Sequence, residues 1–437
     1  MSNLYEKLYY LLTDSESSKE ANSSLEKNAP ENFFRLLMAR TCSKIGDRLS
    51  SPKTTLAWLL QSLGAPALFT GLIVPIRESG SLLPQLFLSN YLKRYAVRKW
   101  AWSLGALIQG AAIAGCAFVA VSMTGTAAGL AIVGLVVLFA LARGISSVSA
   151  KDVLGKTVPK SKRGQLTGWA GAASGVIAIG SASFLLLYDA GEASNLQYAL
   201  YLLAASVLWW LAAYINAQVT EAKSDEDAPS SLIEGFSDQL QLLKEDKSFR
   251  DFLIVRSLAV GSGLSTPYIV SLAHQQLGGG VAWLGVFIIA EGLAAMVASP
   301  AWGRWADKAS RRVLQMAMLV VFVLLTSVIV YVVLFAEQSG AAKYVFPLVL
   351  FLLGVAHSGV RVGRKTYVVD MAEGNTRTDY VAVGNTLIGI LLIIAGLITG
   401  VASLIAVEVA LAIFALCALC GSIYASRLPR VSKQTDS

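Results

Sequence analysis

Long apolar runs separated by short polar segments dominate this chain. An α-helix needs about 20 apolar residues to cross the hydrocarbon core of a bilayer, and ten clear runs reach that length. They are Trp100–Met123, Ala127–Val148, Leu166–Tyr188, Leu196–Ala217, Phe252–Ala273, Val281–Trp302, Val313–Ala336, Tyr344–Val368, Val381–Ala402 and Ala406–Leu428. A further run, Pro66–Leu88, precedes them. The pattern predicts an all-α membrane protein.

The segment before these runs, Phe33–Leu63, is too polar to be recognised as a span from hydropathy. It resembles the region near Phe249, at an offset of 215 residues between Gly46 and Gly261. The other matches are Arg40 with Arg256, Leu49-Ser50-Ser51-Pro52 with Leu264-Ser265-Thr266-Pro267, Gly64 with Gly279, and Glu78 close to Glu291. If the two halves have the same arrangement of helices, Phe33–Leu63 is also predicted to span the membrane. The prediction becomes twelve transmembrane helices in two pseudo-symmetric six-helix bundles.

The repeat and the polar segments define a predicted domain organisation. It comprises a cytosolic tail at 1–32, an N-terminal six-helix bundle at 33–219, a cytosolic linker at 220–248, a C-terminal six-helix bundle at 249–428 and a cytosolic tail at 429–437. Basic residues concentrate in alternate loops, and the intervening loops hold almost none besides Lys343. Because loops rich in Lys and Arg stay in the cytosol, both termini are predicted to be cytosolic.

Composition narrows the class of protein. Of 437 residues, 55% are hydrophobic and 15% are charged, whereas soluble domains carry about 25% charged residues. The net charge of +8 lies in short loops, where membrane orientation explains it more simply than nucleic-acid binding. The four cysteines show no metal-ligand spacing with His274 and His357, and no nucleophile or phosphate-loop motif is present. We therefore expect no metal, no cofactor and no enzymatic activity.

One short segment carries a family resemblance. Gly303-Arg304-Trp305-Ala306-Asp307-Lys308-Ala309-Ser310-Arg311-Arg312 resembles the loop signature of the major facilitator superfamily, G-x-x-x-D-R/K-x-x-R-R. The equivalent loop of the first half departs from the signature, since Lys93 occupies the acidic position. Arg143-Gly144 is similar to the arginine-glycine motif of the family's fourth helix, and the fifth helix lacks the Gly-Pro pair of many drug–proton antiporters.

The resemblance implies a mechanism as well as a fold. One solute site would lie near the middle of the membrane between two halves that rock to expose it to either side. The residues Gly303, Asp307, Lys308, Arg311 and Arg312 would form a cytosolic latch that gates this movement. The alternative is a charged cluster that only fixes topology. Pro52 and Pro267 would interrupt the first and seventh helices, either as hinges or as static kinks.

Charges inside predicted spans are the candidate site residues, because a charge in a membrane must be paired or hydrated. Arg40, Lys44 and Asp47 recur at helical spacing and share one face of the first helix. The other candidates are Arg77, Glu78, Arg256, Glu291, His357 and Arg361. The arginines and Lys44 would make a cationic path for an anion, and Asp47, Glu78 and Glu291 would exchange protons. The alternative is a set of static ion pairs; Arg40 and Arg256 could simply snorkel, and His357 could serve packing.

The leading hypothesis is a proton-coupled secondary transporter, a symporter of a small polar, anionic solute. The alternatives are an exporter of amphipathic compounds and a protein of this fold that no longer transports and acts as a sensor or assembly partner. We expect a monomer in a bacterial inner membrane whose partners are the solute, protons and the lipid bilayer. The variants Asp47→Asn and Glu78→Gln are predicted to uncouple uptake from a pH gradient.

Overall fold

The computed structural model describes residues 24–83, 91–92, 94–186, 194–223, 246–335, 340–371 and 376–431. Every regular element in these ranges is an α-helix, which confirms the predicted all-α class. The helices are α1 (Ser24–Leu49), α2 (Thr55–Ser62), α3 (Ala67–Leu82), α4 (Lys99–Ser122), α5 (Gly125–Thr157), α6 (Lys160–Leu185), α7 (Asn195–Ala217), α8 (Lys247–Leu258), α9 (Gly261–Leu264), α10 (Thr266–Leu277), α11 (Val281–Phe335), α12 (Ala342–Met371), α13 (Thr376–Ala402) and α14 (Val407–Ala425).

Nine helical segments within the described residues are long and apolar enough to cross a membrane. Helices α1 to α3 and α6 occupy the places of the first, second and fifth predicted spans. The count of twelve spans and the cytosolic termini remain predictions. The linker lies largely outside the described residues, as do most of the two tails, so the domain boundaries also stay predictions. One difference is visible: α1 begins at Ser24, inside the predicted tail.

The first and seventh spans are interrupted at equivalent places. The expected continuous helix Phe33–Leu63 is two helices, because α1 ends at Leu49 and α2 begins at Thr55. Pro52 has no amide hydrogen to donate and restricts its neighbour, so it separates the helices instead of only bending one. The equivalent Pro267 stands in the first turn of α10, after the short α9. Both breaks lie in the interior of the protein, since Ser50, Thr54, Ser265 and Thr266 are buried.

The repeat has a structural counterpart in packing. Gly46 lies against the indole of Trp209 in α7, where an added Cβ would be 2.7 Å from Nε1. Its partner Gly261 lies against the ring of Phe414 in α14, where a Cβ would be 3.0 Å from the ring. Each half thus packs a glycine of its first span against an aromatic ring of its last helix.

Helices α2 and α10 are each followed, within two residues, by a glycine with left-handed backbone conformation. Gly64 has φ of 67° and Gly278 has φ of 78°, a conformation that glycine adopts without steric cost. In backbone conformation, Gly64 therefore corresponds to Gly278 of the second half. The sequence repeat had aligned it with Gly279 instead.

The predicted loop after the eighth span is also helical. Helix α11 runs from Val281 to Phe335, with non-helical dihedral angles inside it only at Ala309 (φ −158°, ψ 61°). Ala309 therefore separates the eighth predicted span, Val281–Trp302, from the ninth, Val313–Ala336, by a turn at one residue. We call the end of the molecule that carries this turn the basic end, and the end that carries Gly64 and Gly278 the opposite end.

The two halves meet along two pairs of helices and at the opposite end. Helix α3 lies beside α13, with Pro75 against Gly396 and Leu83 against Gly389. Helix α6 lies beside α11, with Ala182 close to Gly285. These contacts enclose the interior in which the polar breaks of the first and seventh spans face each other.

Candidate functional site

A cluster of three charged side chains joins α1, α3 and α5. The carboxylate of Asp47 accepts hydrogen bonds from the guanidinium groups of both Arg77 and Arg143. Arg77 is buried, also donates to the carbonyl of Ser50 at 3.2 Å, and lies 4.6 Å from the ring centre of Phe139. This geometry matches the ion-pair alternative for Asp47 and Arg77. In the sequence, Arg143 was noted only for its motif, and its pairing with Asp47 was not predicted.

A first cavity of about 310 Å³ lies between the halves. Its lining residues come from the α1–α2 break, α3, the α8–α9 region, α12 and α13. The charged members are Lys53, Glu78, Arg256, Arg361 and Arg364. Four cations against one carboxylate give the cavity wall an excess of positive charge.

Asn385, His357 and Ser262 add neutral polar groups to this wall. Arg256 donates to the side-chain oxygen of Asn385 at 2.8 Å, which links α8 to α13. The Nδ1 of His357 lies 3.0 Å from the hydroxyl of Ser262. His357 and Arg256 therefore line the cavity with one polar partner each, and Arg256 does not snorkel away from it.

A second cavity of about 240 Å³ adjoins the first. It shares Lys53, His357 and Arg361 with the first cavity, so these three side chains form the boundary between the two. Its own charged residues are Asp47, Arg48 and Glu291, and the last comes from α11 of the other half. A solute that fills either cavity would contact both halves.

Glu291 has a distinctive environment within the described part of the chain. It makes no hydrogen bond or ion pair there, whereas Asp47 makes two. Lys53 and Arg48 lie within electrostatic range of its carboxylate. These two cations also make no direct ion pair with any described residue. In the second cavity, the carboxylate of Glu291 thus faces two cations that attract it without direct contact.

Three predicted site residues lie outside both cavities: Arg77, in the cluster described above, and Arg40 and Lys44. Arg40 donates to the carbonyl of Ala150 in α5 at 2.9 Å and lies over the ring of Trp102. Lys44 donates to the carbonyl of Thr167 in α6 at 3.2 Å. The shared face of α1 therefore contacts neighbouring helices of its own half at these two positions, and only Asp47 reaches a cavity.

Several cavity residues were missed or given another role. Arg48, Lys53 and Asn385 were not among the candidate site residues, yet they line the cavities. Arg364 was also not a candidate site residue, and it lines the first cavity. The position of Lys53 directly after Pro52 could have indicated its role. A proline break changes the direction of the next side chain relative to the helix.

The described contacts of the predicted latch are made by Arg311, which binds backbone carbonyls of the same half. Arg311 donates to the carbonyls of Ser426 and Leu428, at 3.2 Å and 2.8 Å, and so ties α11 to the end of α14. Asp307, Lys308 and Arg312 are exposed. Lys93, the departing residue of the first-half loop, lies outside the described residues. The gating role of Gly303 and the charged residues of the motif stays a prediction.

A polar and aromatic network closes the opposite end. The hydroxyl of Ser62 lies 2.9 Å from Nε2 of His274, and the ring of Trp58 lies edge-on at 4.6 Å from the same imidazole. Tyr198 accepts from Trp58 and donates to the carbonyl of Gly279 at 2.7 Å. The network connects the two halves, and the sequence patterns did not indicate it.

Comparisons with known proteins agree with this architecture. A comparison with curated protein sequences found no match. The chain is similar to the crystal structure of a mutant of the nucleoside transporter NupG, with a TM-score of 0.69, 11% identity, and coverage of 91% of this chain and 99% of that one. It is also similar to a D-xylose-proton symporter, with a TM-score of 0.68, 12% identity, and coverage of 92% and 98%.

The xylose transporter XylE from E. coli, in an inward open conformation, gives a TM-score of 0.64 at 11% identity, with coverage of 93% of this chain and 98% of that one. At such identities the structural likeness establishes the fold alone. The model of the Major Facilitator Superfamily matches residues 36–396, which is most of the chain. This chain therefore belongs to the Major Facilitator Superfamily.

Proposed function

We propose that this protein is a secondary active transporter that moves a small anionic solute by alternating access. The observation that carries the proposal is the excess of cations around the cavities between the halves. Arg48, Lys53, Arg361 and Arg364 line them without a direct ion pair among the described residues. Unpaired cations in a low-dielectric interior are costly, and a bound anion would offset that cost.

The cavities also limit the size of the solute. Volumes of about 310 and 240 Å³ fall at or below the lower end of the usual range for small-molecule pockets, about 300–1,000 Å³. A compact carboxylate or a phosphate-bearing molecule fits this volume and charge. The mixed lining, with Asn385 and Ser262 beside the cations, would also bind hydroxyl groups.

Proton coupling would act through Glu291. An anion in the second cavity and the carboxylate of Glu291 compete for the same cations, Lys53 and Arg48. Protonation of Glu291 removes the competitor, so proton binding and anion binding favour each other. Because coupling is reciprocal, the anion would bring a proton with it, which is symport. Asp47 is less suited to this role than the sequence suggested, since two guanidinium groups already hold it.

The proposal is tested by uptake into proteoliposomes that contain the purified protein. Labelled monocarboxylates, dicarboxylates and sugar phosphates would be compared with a nucleoside and with xylose, with and without an inward proton gradient. We expect saturable, gradient-stimulated uptake of an anion. Glu291→Gln should keep anion uptake but lose its stimulation by the gradient, and Arg361→Gln should raise the solute concentration needed for half-maximal uptake.

Glu408→Gln is the matched control, because Glu408 lies in the first turn of α14 and lines neither cavity. It should behave like the wild type. Uptake of xylose or a nucleoside but of no anion would refute the proposed solute class. Resistance of cells to amphipathic compounds without anion uptake would support the exporter, and no uptake or binding of any solute would support a sensor.

A further inference from the structure

The network at the opposite end joins the two halves through polar and aromatic side chains. From the first half, α2 supplies Trp58 and Ser62, and α7 supplies Tyr198. From the second half, α10 supplies His274, and the turn after it supplies the carbonyl of Gly279. Two hydrogen bonds therefore cross between the halves, one from Ser62 to His274 at 2.9 Å and one from Tyr198 to Gly279 at 2.7 Å.

This network is the barrier between the cavities and the opposite end. Trp58 is fully buried and Tyr198 is 2% exposed. Trp58 also packs edge-on against Phe287 of α11, with the ring centres 5.5 Å apart. By contrast, Glu78 and Arg361 line the first cavity and are exposed, and they lie in the parts of α3 and α12 nearer the basic end. The cavities therefore open toward the basic end.

His274 is the member of this network that can gain a charge near neutral pH. Its imidazole is half-buried, and Ser62 is its hydrogen-bond partner among the described residues. This bond survives protonation, because the oxygen of Ser62 can accept from the charged ring while its own proton goes to Tyr198 at 3.1 Å. The other ring nitrogen then becomes a second donor, for which the described part of the chain offers no acceptor.

The helices around His274 offer little to compensate a charge on its ring. Helices α2 and α7 contain no acidic or basic residue, and α10 contains none besides His274. The first charges in α3 and α11 are Arg77 and Glu291, each ten residues, or about 15 Å, from the start of its helix. Lys343 of α12 and Glu408 of α14 lie at this end, but neither is bonded to His274 or acts appreciably on its ring.

We propose that His274 is a proton-sensing gate residue and that its protonation opens the opposite end. A cation in a half-buried, largely apolar interface is costly, and separation of the halves returns it to water. An imidazole in water has a pKa of about 6.5. A hydrated ring in the open arrangement therefore raises the ratio of open to closed protein about tenfold between about pH 8 and about pH 5.5, when the closed arrangement keeps the ring neutral.

This gate rests on the proposed function, because an opening matters only if a solute passes through it. The predicted cytosolic position of the basic end would place His274 on the outer side, from which a symported proton arrives. Protonation of His274 would then give the solute access to the cavities, whereas protonation of Glu291 would raise its affinity. The two groups act at separate steps and can be tested separately.

The experiment measures the distance between spin labels at Ser122→Cys and Leu404→Cys in the full-length protein in lipid nanodiscs, with the four native cysteines replaced by alanine. Both positions are exposed, at the opposite end, in different halves. Double electron–electron resonance at about pH 8 and about pH 5.5, without any solute, gives the populations of closed and open protein. We expect the ratio of open to closed protein to rise about tenfold on acidification. His274→Gln, which can still bond to Ser62 but cannot be charged, should abolish this rise.

Two variants serve as controls for other proton sites. His357 is the only other histidine and lines both cavities, so His357→Gln is the matched control. This variant and Glu291→Gln should show the same response to pH as the wild type. A third variant, Tyr198→Phe, removes the bond to Gly279 and should increase the open population at both pH values. Folding of each variant is checked by thermal melting.

Four results would overturn the proposal. They are a wild-type ratio that does not change with pH, a rise that persists in His274→Gln, a rise that disappears in Glu291→Gln, and an unchanged open population in Tyr198→Phe. Because no solute is present, this measurement is independent of the uptake assay. Anion uptake without a pH-dependent distance would reject the gate alone, and a pH-dependent distance without uptake would reject the proposed function alone.

Discussion

Replacement of Asp47 by asparagine tests whether the charged cluster of α1, α3 and α5 is a structural lock. The change keeps the size of the side chain and removes its charge. It leaves the guanidinium groups of Arg77 and Arg143 beside each other without their shared acceptor. The amide oxygen of the new side chain could accept one hydrogen bond from them but could not neutralise either cation.

The magnitude follows from the burial of the partners. The side chain of Arg77 is 8% exposed and that of Arg143 is 36% exposed, while Asp47 itself is 25% exposed. Removal of one partner from a buried ion pair costs about 3–5 kcal/mol. Because Arg143 and Asp47 are partly exposed and Arg77 keeps the carbonyl of Ser50, we expect Asp47→Asn to cost about 3 kcal/mol, at the lower end of that range.

The assay is unfolding of the purified protein in detergent, followed by tryptophan fluorescence and circular dichroism during titration with sodium dodecyl sulfate. The matched control is Glu31→Gln, since Glu31 forms an exposed pair with Arg35 at 2.5 Å. Such surface pairs contribute about 0–1 kcal/mol. The double variant Asp47→Asn/Arg77→Gln should be less destabilised than the sum of the two single variants, because it removes the stranded charge together with its partner.

Two results would refute this reasoning. If Asp47→Asn unfolds at the same detergent fraction as Glu31→Gln, the cluster is solvated and the pairing contributes little. If Asp47→Asn is as stable as the wild type but loses the stimulation of uptake by a proton gradient, Asp47 is the proton carrier, as the sequence first suggested. The expected result is a less stable protein whose uptake still responds to the gradient.

Three further predictions concern the helix ends and the packing of the first span. Gly46→Ala should destabilise the protein by about 1–3 kcal/mol through overpacking against Trp209, as measured by the same detergent titration. Glu221→Gln should cost about 1–3 kcal/mol, because the fully buried carboxylate binds Lys156 and two backbone amides at the start of α4; its melting temperature relative to the wild type checks this. Burial raises the pKa of Asp246, but hydrogen bonds from Tyr380 and the helix amide outweigh it and lower the pKa below its ordinary value. Asp246→Ala should therefore cost about 1 kcal/mol at neutral pH, and this difference from the wild type should vanish as the pH falls through the lowered pKa.

The sequence determined much of the fold because helix length and hydropathy are local properties. The runs of apolar residues predicted spans that the structure contains as helices, and the repeat identified Phe33–Leu63 as part of the first half in spite of its charges. The loop signature at Gly303–Arg312 led to the superfamily that the family model matches. The backbone breaks were only partly predicted: Pro52 and Pro267 were recognised as interruptions, but not as points where a helix ends.

The candidate site was predicted less completely, since it depends on contacts between distant segments. Glu291, His357 and Arg361 were singled out as charges in spans, and the tertiary structure brings them together with Lys53 and Arg48 around two cavities. Arg40 and Lys44 were also singled out as charges in predicted spans, yet their side chains donate to backbone carbonyls of α5 and α6. Periodicity places residues on one face of a helix, but it does not tell which neighbour that face meets.

The sequence alone thus predicted the membrane class and the set of charges within the spans, and the division into two six-helix bundles stays a prediction. Which of these charges are paired and which face a cavity depends on the tertiary structure. Asp47 meets Arg143 because α5 packs beside α1, and Glu291 faces Lys53 because α11 of one half lies opposite the broken first span of the other. Electrostatic interactions depend on distance in space and on burial, and both are set by the packing of helices that are far apart in the chain.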